Sequence, residues 1–148
     1  MKNIVFVLLF LLSCKKEKET TPTPSTIPTT PTVFQGIKNI NYNGIHVDVV
    51  IDKPALQEVD VLLVYHGTVM YDSLIVGAAQ NALDGFKNIL DRKDMMIVSV
   101  AYPEENLLMG DNIKEAEAAL LWVKYKASSE MDITVKKIFL GGHSQGGY

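Results

Sequence analysis

Between Gly36 and Asp52 apolar and polar positions alternate. Ile45, Val47, Val49 and Ile51 stand against His46, Asp48 and Val50, the pattern of a strand with one face on a core and the other toward water. Two strands are expected here, Gly36 to Tyr42 and Ile45 to Asp52. The turn between them falls on Asn43-Gly44, a dipeptide that tolerates the positive backbone angles of a type I′ hairpin. His46 then lies on the polar face as a solvated strand residue.

Beyond the hairpin the rhythm changes twice over. Asp60 to Tyr65, Met95 to Ala101 and Val135 to Leu140 are short apolar runs that read as strands covered on both faces. Between them the apolar residues recur at helical spacing. From Leu74 to Leu90 the stripe is Ile75, Ala79, Ala82, Phe86 and Ile89, with Asp72, Asp84, Lys87 and Asp91 outside. A second helix is expected from about Asn112 to Ser128, with Asp111 as its N-cap and a stripe of Ile113, Ala116, Leu120, Val123 and Ala127. Trp122 belongs to core or half-buried cover. The order is a β-hairpin followed by β, α, β, α, β, an α/β pattern that implies a mostly parallel sheet with flanking helices.

The last strand runs into Gly142-His143-Ser144-Gln145-Gly146, the G-x-S-x-G pattern of a nucleophile elbow. There a strand turns sharply into a helix and lifts a serine hydroxyl clear of the sheet. Glycine is needed two residues either side of the serine, because the chain passes too close to itself for a Cβ. A second turn, His66-Gly67-Thr68, closes another strand. Both fall at strand carboxyl ends, where open α/β sheets place their chemistry.

Charge narrows the partners. Residues 33–148 carry 10 Lys and Arg against 15 Asp and Glu, a balance of −5, with no basic cluster to meet a nucleic-acid backbone. No nucleic acid is expected as a partner. The histidines His46, His66 and His143 are scattered and Cys14 is the chain's one cysteine, so neither a zinc site nor a disulfide within the chain is expected. No phosphate-cradling glycine loop occurs. No cofactor and no metal are expected.

Residues 1–13 read as an export signal. Lys2 precedes the nine-residue apolar run Ile4 to Leu12, which as a helix rises only about 14 Å, against a bilayer core of about 30 Å. Leu11-Leu12-Ser13-Cys14 resembles a bacterial lipobox, which implies that Cys14 is lipidated, with palmitate among its acyl chains, and becomes the mature N-terminus. Residues 14–32 continue as a Lys/Glu cluster and a Thr/Pro-rich stretch, Thr20 to Thr32, too extended to build a core. This is a tether. The expected location is the membrane, through the lipid anchor, on the periplasmic side or at the surface of the outer membrane.

From about Gly36 to Tyr148 the hairpin, the His-Gly turn after the third strand and the elbow after the fifth resemble the N-terminal half of an α/β-hydrolase, cut off after the elbow. Residues 33–148 would be that half domain. The resemblance implies that the third and fifth strands are neighbours and that Ser144 is the nucleophile. The backbone N–H groups of Gln145 and of Thr68, with Gly67 as the alternative, would form the oxyanion hole. It also places the acid and the histidine base after the serine. His143 and His66 are therefore read as structural, with His66 bracing the oxyanion loop through a hydrogen bond. Residues 1–148 alone are expected to lack the base, to be inactive and to expose Ile138, Phe139 and Leu140 as an apolar sheet edge.

Gly-His-Ser-Gln-Gly-Gly resembles elbows of the dienelactone-hydrolase, esterase and prolyl-oligopeptidase-like branches. The expected activity is that of an exported lipoprotein serine hydrolase, first a carboxylesterase and second a peptidase, on a small-molecule ester or a peptide. A non-catalytic surface lipoprotein that uses the fold for binding is the reading from another class.

Overall fold

The computed structural model describes residues 30–102 and 112–147. The expected signal peptide, most of the tether with Cys14, the N-cap at Asp111 and the terminal Tyr148 lie outside the described residues. Five strands form one sheet: β1 (Phe34–Tyr42), β2 (Ile45–Lys53), β3 (Glu58–Tyr65), β4 (Met95–Ala101) and β5 (Thr134–Gly142). Helix α1 (Ile75–Ile89) joins β3 to β4, and α2 (Ile113–Tyr125) with a short α3 (Ala127–Glu130) joins β4 to β5. Among the described residues no helix is long and apolar enough to cross a membrane.

The spatial order is β1-β2-β4-β3-β5. β1 pairs antiparallel with β2, and β2 antiparallel with β4, whereas β3 lies parallel to both β4 and β5. The sheet is therefore mixed, which corrects the expectation of a mostly parallel one. The cause is the hairpin. Its second strand pairs on into the sheet through β4, so half of the strand pairings are antiparallel.

The hairpin turns as its sequence dictates. Asn43 has φ 51° and Gly44 φ 86°, the two positive angles of a type I′ turn, and the Gly44 N–H donates to Asn41 Oδ1 at 3.0 Å. His46 is exposed and bonded to Asn41 and Asn39 across the pair. Val50, in contrast, is not on a water-facing strand surface. It is buried with Leu62, Val64 and Ile97 under Ile75, Ala79 and Leu83 of α1.

The other face of the sheet carries Val47, Val49, Ile51, Val61, Leu63, Val98 and Val100, packed on Ala119, Trp122 and Val123 of α2. Val61 and Leu63 face α2 while Leu62 and Val64 face α1, so the apolar run of β3 feeds two cores by simple alternation. Helices on opposite faces are what two right-handed crossovers produce when the winding reverses. The chain moves from β3 to β4 on one side, then returns past β3 to β5 on the other.

Two details differ from the helical stripes, with one cause: Ile89, expected in the α1 stripe, is 74% exposed and Ile113 of α2 is 60% exposed. Phe139 and Leu140 of β5 are exposed, as expected of an apolar sheet edge, while Ile138 is half-buried. β5 is the sheet edge among the described residues. Neither face of it is fully covered, so the helix positions nearest to it stay open. Leu83 takes the buried place on α1 that the pattern had left out. The second helix also stops at Tyr125, with α3 following as a separate turn.

Tyr65 closes β3 with its hydroxyl donating to the Ala116 carbonyl of α2 at 3.2 Å. Burial pushes its phenol up from 10.0 to about 12. Between those two values the folded protein keeps a proton that the unfolded chain releases, so stability falls as pH rises through that window. Urea unfolding at about pH 9 and about pH 11 should show this loss, and Tyr65→Phe should make it shallower; an equal loss in the variant would remove Tyr65 as its source.

Candidate active site

The site is built by the register between β3 and β5. Tyr65 is paired with Gly142, so the two strands end level and their loops leave side by side. The ladder continues one step further, with the His143 N–H donating to the Tyr65 carbonyl at 3.1 Å. The chain then reverses. Ser144 has φ 54°, a left-handed angle that serine rarely adopts and that costs on the order of 1 kcal/mol. A single turn of 3₁₀ helix, Ser144–Gly147, follows, with the Gly146 N–H donating to the His143 carbonyl at 3.0 Å.

Two glycines make that turn possible. A Cβ on Gly142 would lie 1.8 Å from the Gly146 carbonyl oxygen, and one on Gly146 would lie 2.4 Å from the Tyr65 oxygen and 2.6 Å from that of His66. These obstacles are backbone atoms, which cannot swing aside. Gly147 is different, since its nearest neighbour would be 3.9 Å away. The elbow therefore rests directly on the end of β3, and its serine side chain is exposed above it.

The facing loop, His66-Gly67-Thr68, is held from below. The His66 ring is 2% exposed and stacks on Tyr102, with ring centres 4.1 Å apart and planes 9° from parallel. The Tyr102 hydroxyl donates to the His66 carbonyl. His66 Nδ1 lies 2.6 Å from the Gly67 carbonyl oxygen. A carbonyl oxygen can only accept, so Nδ1 carries the hydrogen. Nε2 is buried with no hydrogen-bond partner among the described residues.

This geometry places the expected site residues together. A Cβ on Gly67 would lie 3.3 Å from that of Ser144 and 3.1 Å from His143 Nδ1, so the His66-Gly67-Thr68 loop and the elbow are in contact. The Thr68 hydroxyl donates to Gln145 Oε1 at 2.7 Å. No hydrogen bond joins Ser144 to a histidine among the described residues: Nδ1 of His66 is committed to Gly67, its Nε2 has no partner, and His143 packs over Gly67. Within the described residues no group of His, Cys, Asp or Glu could hold a metal ion.

Beside the serine, on the α1 side, lies an open groove of about 640 Å³ bounded by Thr68, Asn81, Phe86, Ile89, His143 and Ser144. A second groove of about 660 Å³ lies on the α2 side under the elbow, between Tyr65, Ile113, Leu120 and Gln145. The exposed Ile89 and Ile113 are thus walls of the two grooves that flank β5.

Sequence reasoning missed Tyr102 as the floor of the loop and the side-chain bond between Thr68 and Gln145. Tyr102 had a legible signal, an aromatic directly after a buried strand parallel to β3. The Thr68–Gln145 bond had none, since the two residues are 77 positions apart.

No family model and no curated protein matches the chain. Among solved structures, the chain is similar to an esterase of the fungus Rhizomucor miehei, one of two whose structures explain their substrate specificity. The TM-score is 0.56 at 18% identity, over 80% of this chain and 37% of that one. This likeness shows the fold alone, which is hydrolase-like. The chain spans little more than a third of its neighbour.

The elbow glycines give a direct test. Gly142→Ala and Gly146→Ala should each destabilise the protein by about 3 kcal/mol or more, against backbone that cannot move. Gly147→Ala should stay within about 0.5 kcal/mol of wild type. Urea midpoints measure all three, and a Gly146→Ala protein as stable as wild type would rule out the packed elbow.

Proposed function

We propose that the chain is the nucleophile-bearing part of an exported serine hydrolase that cleaves carboxylic esters through an acyl-enzyme. One observation carries this reading: Ser144 stands at φ 54° at the end of β5, between two glycines that admit no Cβ, against the loop that ends β3. Such strain at an exposed serine is a feature of functional turns rather than of loops that merely connect. The likeness to an esterase supports ester over peptide cleavage.

In this reading the Ser144 Oγ attacks the ester carbonyl carbon while a base takes its proton. The carbonyl electron pair moves onto oxygen, where the backbone N–H groups of Gln145 and Thr68 receive it, with Gly67 the alternative donor. The tetrahedral species collapses as the base returns the proton to the leaving oxygen, which departs as the alcohol and leaves the acyl group on Ser144. Water then repeats the sequence and releases the acid. Backbone donors suit the task because they are fixed before charge develops. The base is neither His66 nor His143. The reading calls for an acid and a histidine outside the described residues, in the order serine, acid, histidine.

Export and a lipid on Cys14 belong to the same proposal, supported by the short apolar run ahead of the chain's one cysteine and by the Thr/Pro tether behind it. The hydrolase would then work at a membrane surface, on small esters that reach it there.

A fluorophosphonate probe should label the full-length protein, and Ser144→Ala should abolish both labelling and hydrolysis of a p-nitrophenyl ester, by about 10⁴-fold or more. A wild type that never labels would sink the catalytic reading in favour of a binding protein. Independently, cells fed alkyne-palmitate should tag the wild-type protein but not Cys14→Ala, which should leave the membrane fraction; tagging that survives the substitution would refute the anchor.

A further inference from the structure

The hydrogen bond between Thr68 and Gln145 has a place in the fold that an ordinary surface pair does not. Thr68 follows β3 and Gln145 follows β5, so the bond spans the gap between the two loops at the mouth of the site. It is a side-chain link between them, at 2.7 Å, with the threonine hydroxyl as donor and the amide oxygen as acceptor. Below it the loops are fixed by backbone contact, at His143 N–H to Tyr65 O and where Gly146 rests on Tyr65 and His66. Beside it Gly67 packs against His143 and Ser144, and the Thr68–Gln145 bond adds a directional side-chain tie between the same loops.

We propose that the Thr68–Gln145 side-chain bond is a latch that sets the spacing of the two oxyanion donors, the backbone N–H groups of these same residues. The inference rests on the serine-hydrolase reading. Both side chains are then positioning groups, acting through their own main chains. Thr68 is exposed and Gln145 partly so, so water competes for the bond and its effect on global stability is small. Its effect on the reaction is of another kind. An oxyanion hole works only when both donors lie within hydrogen-bond range of the place where charge develops, and a small opening of the loops weakens both at once. The charge exists only in the transition state, so the loss should fall on kcat and leave KM nearly unchanged.

The acceptor also orients Gln145. With Oε1 facing Thr68, the amide NH₂ is turned away from that bond. A glutamate at 145 would still accept, so Gln145→Glu keeps the latch, whereas Gln145→Met removes it at similar size. Thr68→Val removes the donor at nearly constant shape and keeps the backbone N–H.

The test is steady-state hydrolysis of a short-chain p-nitrophenyl ester by the full-length protein, with active sites counted by fluorophosphonate titration. Thr68→Val and Gln145→Met should each lower kcat about 10-fold, less than the roughly 100-fold or more for losing a donor outright. KM and the thermal midpoint should stay near wild type. Thr68→Ser should rescue the rate, and the double variant should be no slower than the worse single one. Unchanged kcat in both single variants, or losses that multiply in the double, would overturn the latch. A wild type that does not label removes the catalytic reading itself, and the latch with it, and that outcome is distinct from an active enzyme indifferent to Thr68→Val.

Discussion

The contact on which this site depends is the close approach of the elbow to the end of β3. Gly146 sits over the Tyr65 and His66 carbonyls with no room for a side chain, and β5 reaches that position only because Tyr65 and Gly142 are in register. A slip of one residue between β3 and β5 would turn every side chain of β5 to the other face and lift the elbow off its support. The left-handed angle at Ser144 is held in place by this packing and by two hydrogen bonds, His143 to Tyr65 and Gly146 to His143. Strain at one residue is offset by a ladder that runs past the end of the strand.

The same constraint bears on how the facing loop is held. If the elbow leans on the His66 carbonyl, that carbonyl must not move. Tyr102 fixes it from beneath by a hydrogen bond and by stacking on the imidazole, while the imidazole in turn bonds the next carbonyl, that of Gly67. β4 contributes to the site although it carries none of the expected site residues. Its role is to deliver Tyr102 beside the end of β3, which the parallel pairing of Tyr65 with Val100 ensures.

Much of this was legible in the sequence where the information is local. The Asn43-Gly44 turn, the buried runs of β3 and β4, the β, α, β, α, β order and the glycines around Ser144 follow from residue type and spacing within a few positions. The adjacency of β3 and β5 was reached only through a family resemblance. What could not be read was set by the edges of the structure. Ile89 and Ile113 have the spacing of core residues, yet burial depends on what lies opposite, and beside β5 the described residues leave two open grooves. The mixed sheet was hidden for a similar reason. Alternation shows that β1 and β2 are strands, but which neighbour β2 chooses is decided by the tertiary fold. The Thr68–Gln145 bond joins positions that no periodicity relates.

His66 shows how far geometry sharpens a chemical assignment. As a sequence, a histidine beside Gly67, in a chain with a serine in a G-x-S-x-G pattern, invites the role of base. As a structure, its ring lies flat against Tyr102, one nitrogen is spent on its neighbour's carbonyl and the other is enclosed. A general base must reach the hydroxyl it deprotonates, directly or through one water, and a ring so enclosed cannot swing out without breaking the loop that carries the expected oxyanion donor. The features that make His66 useless as a base are the ones that make it a good floor for the loop. The sheet and its buried rings, His66 and Tyr102, thus serve to hold the backbone of this loop in place against the elbow.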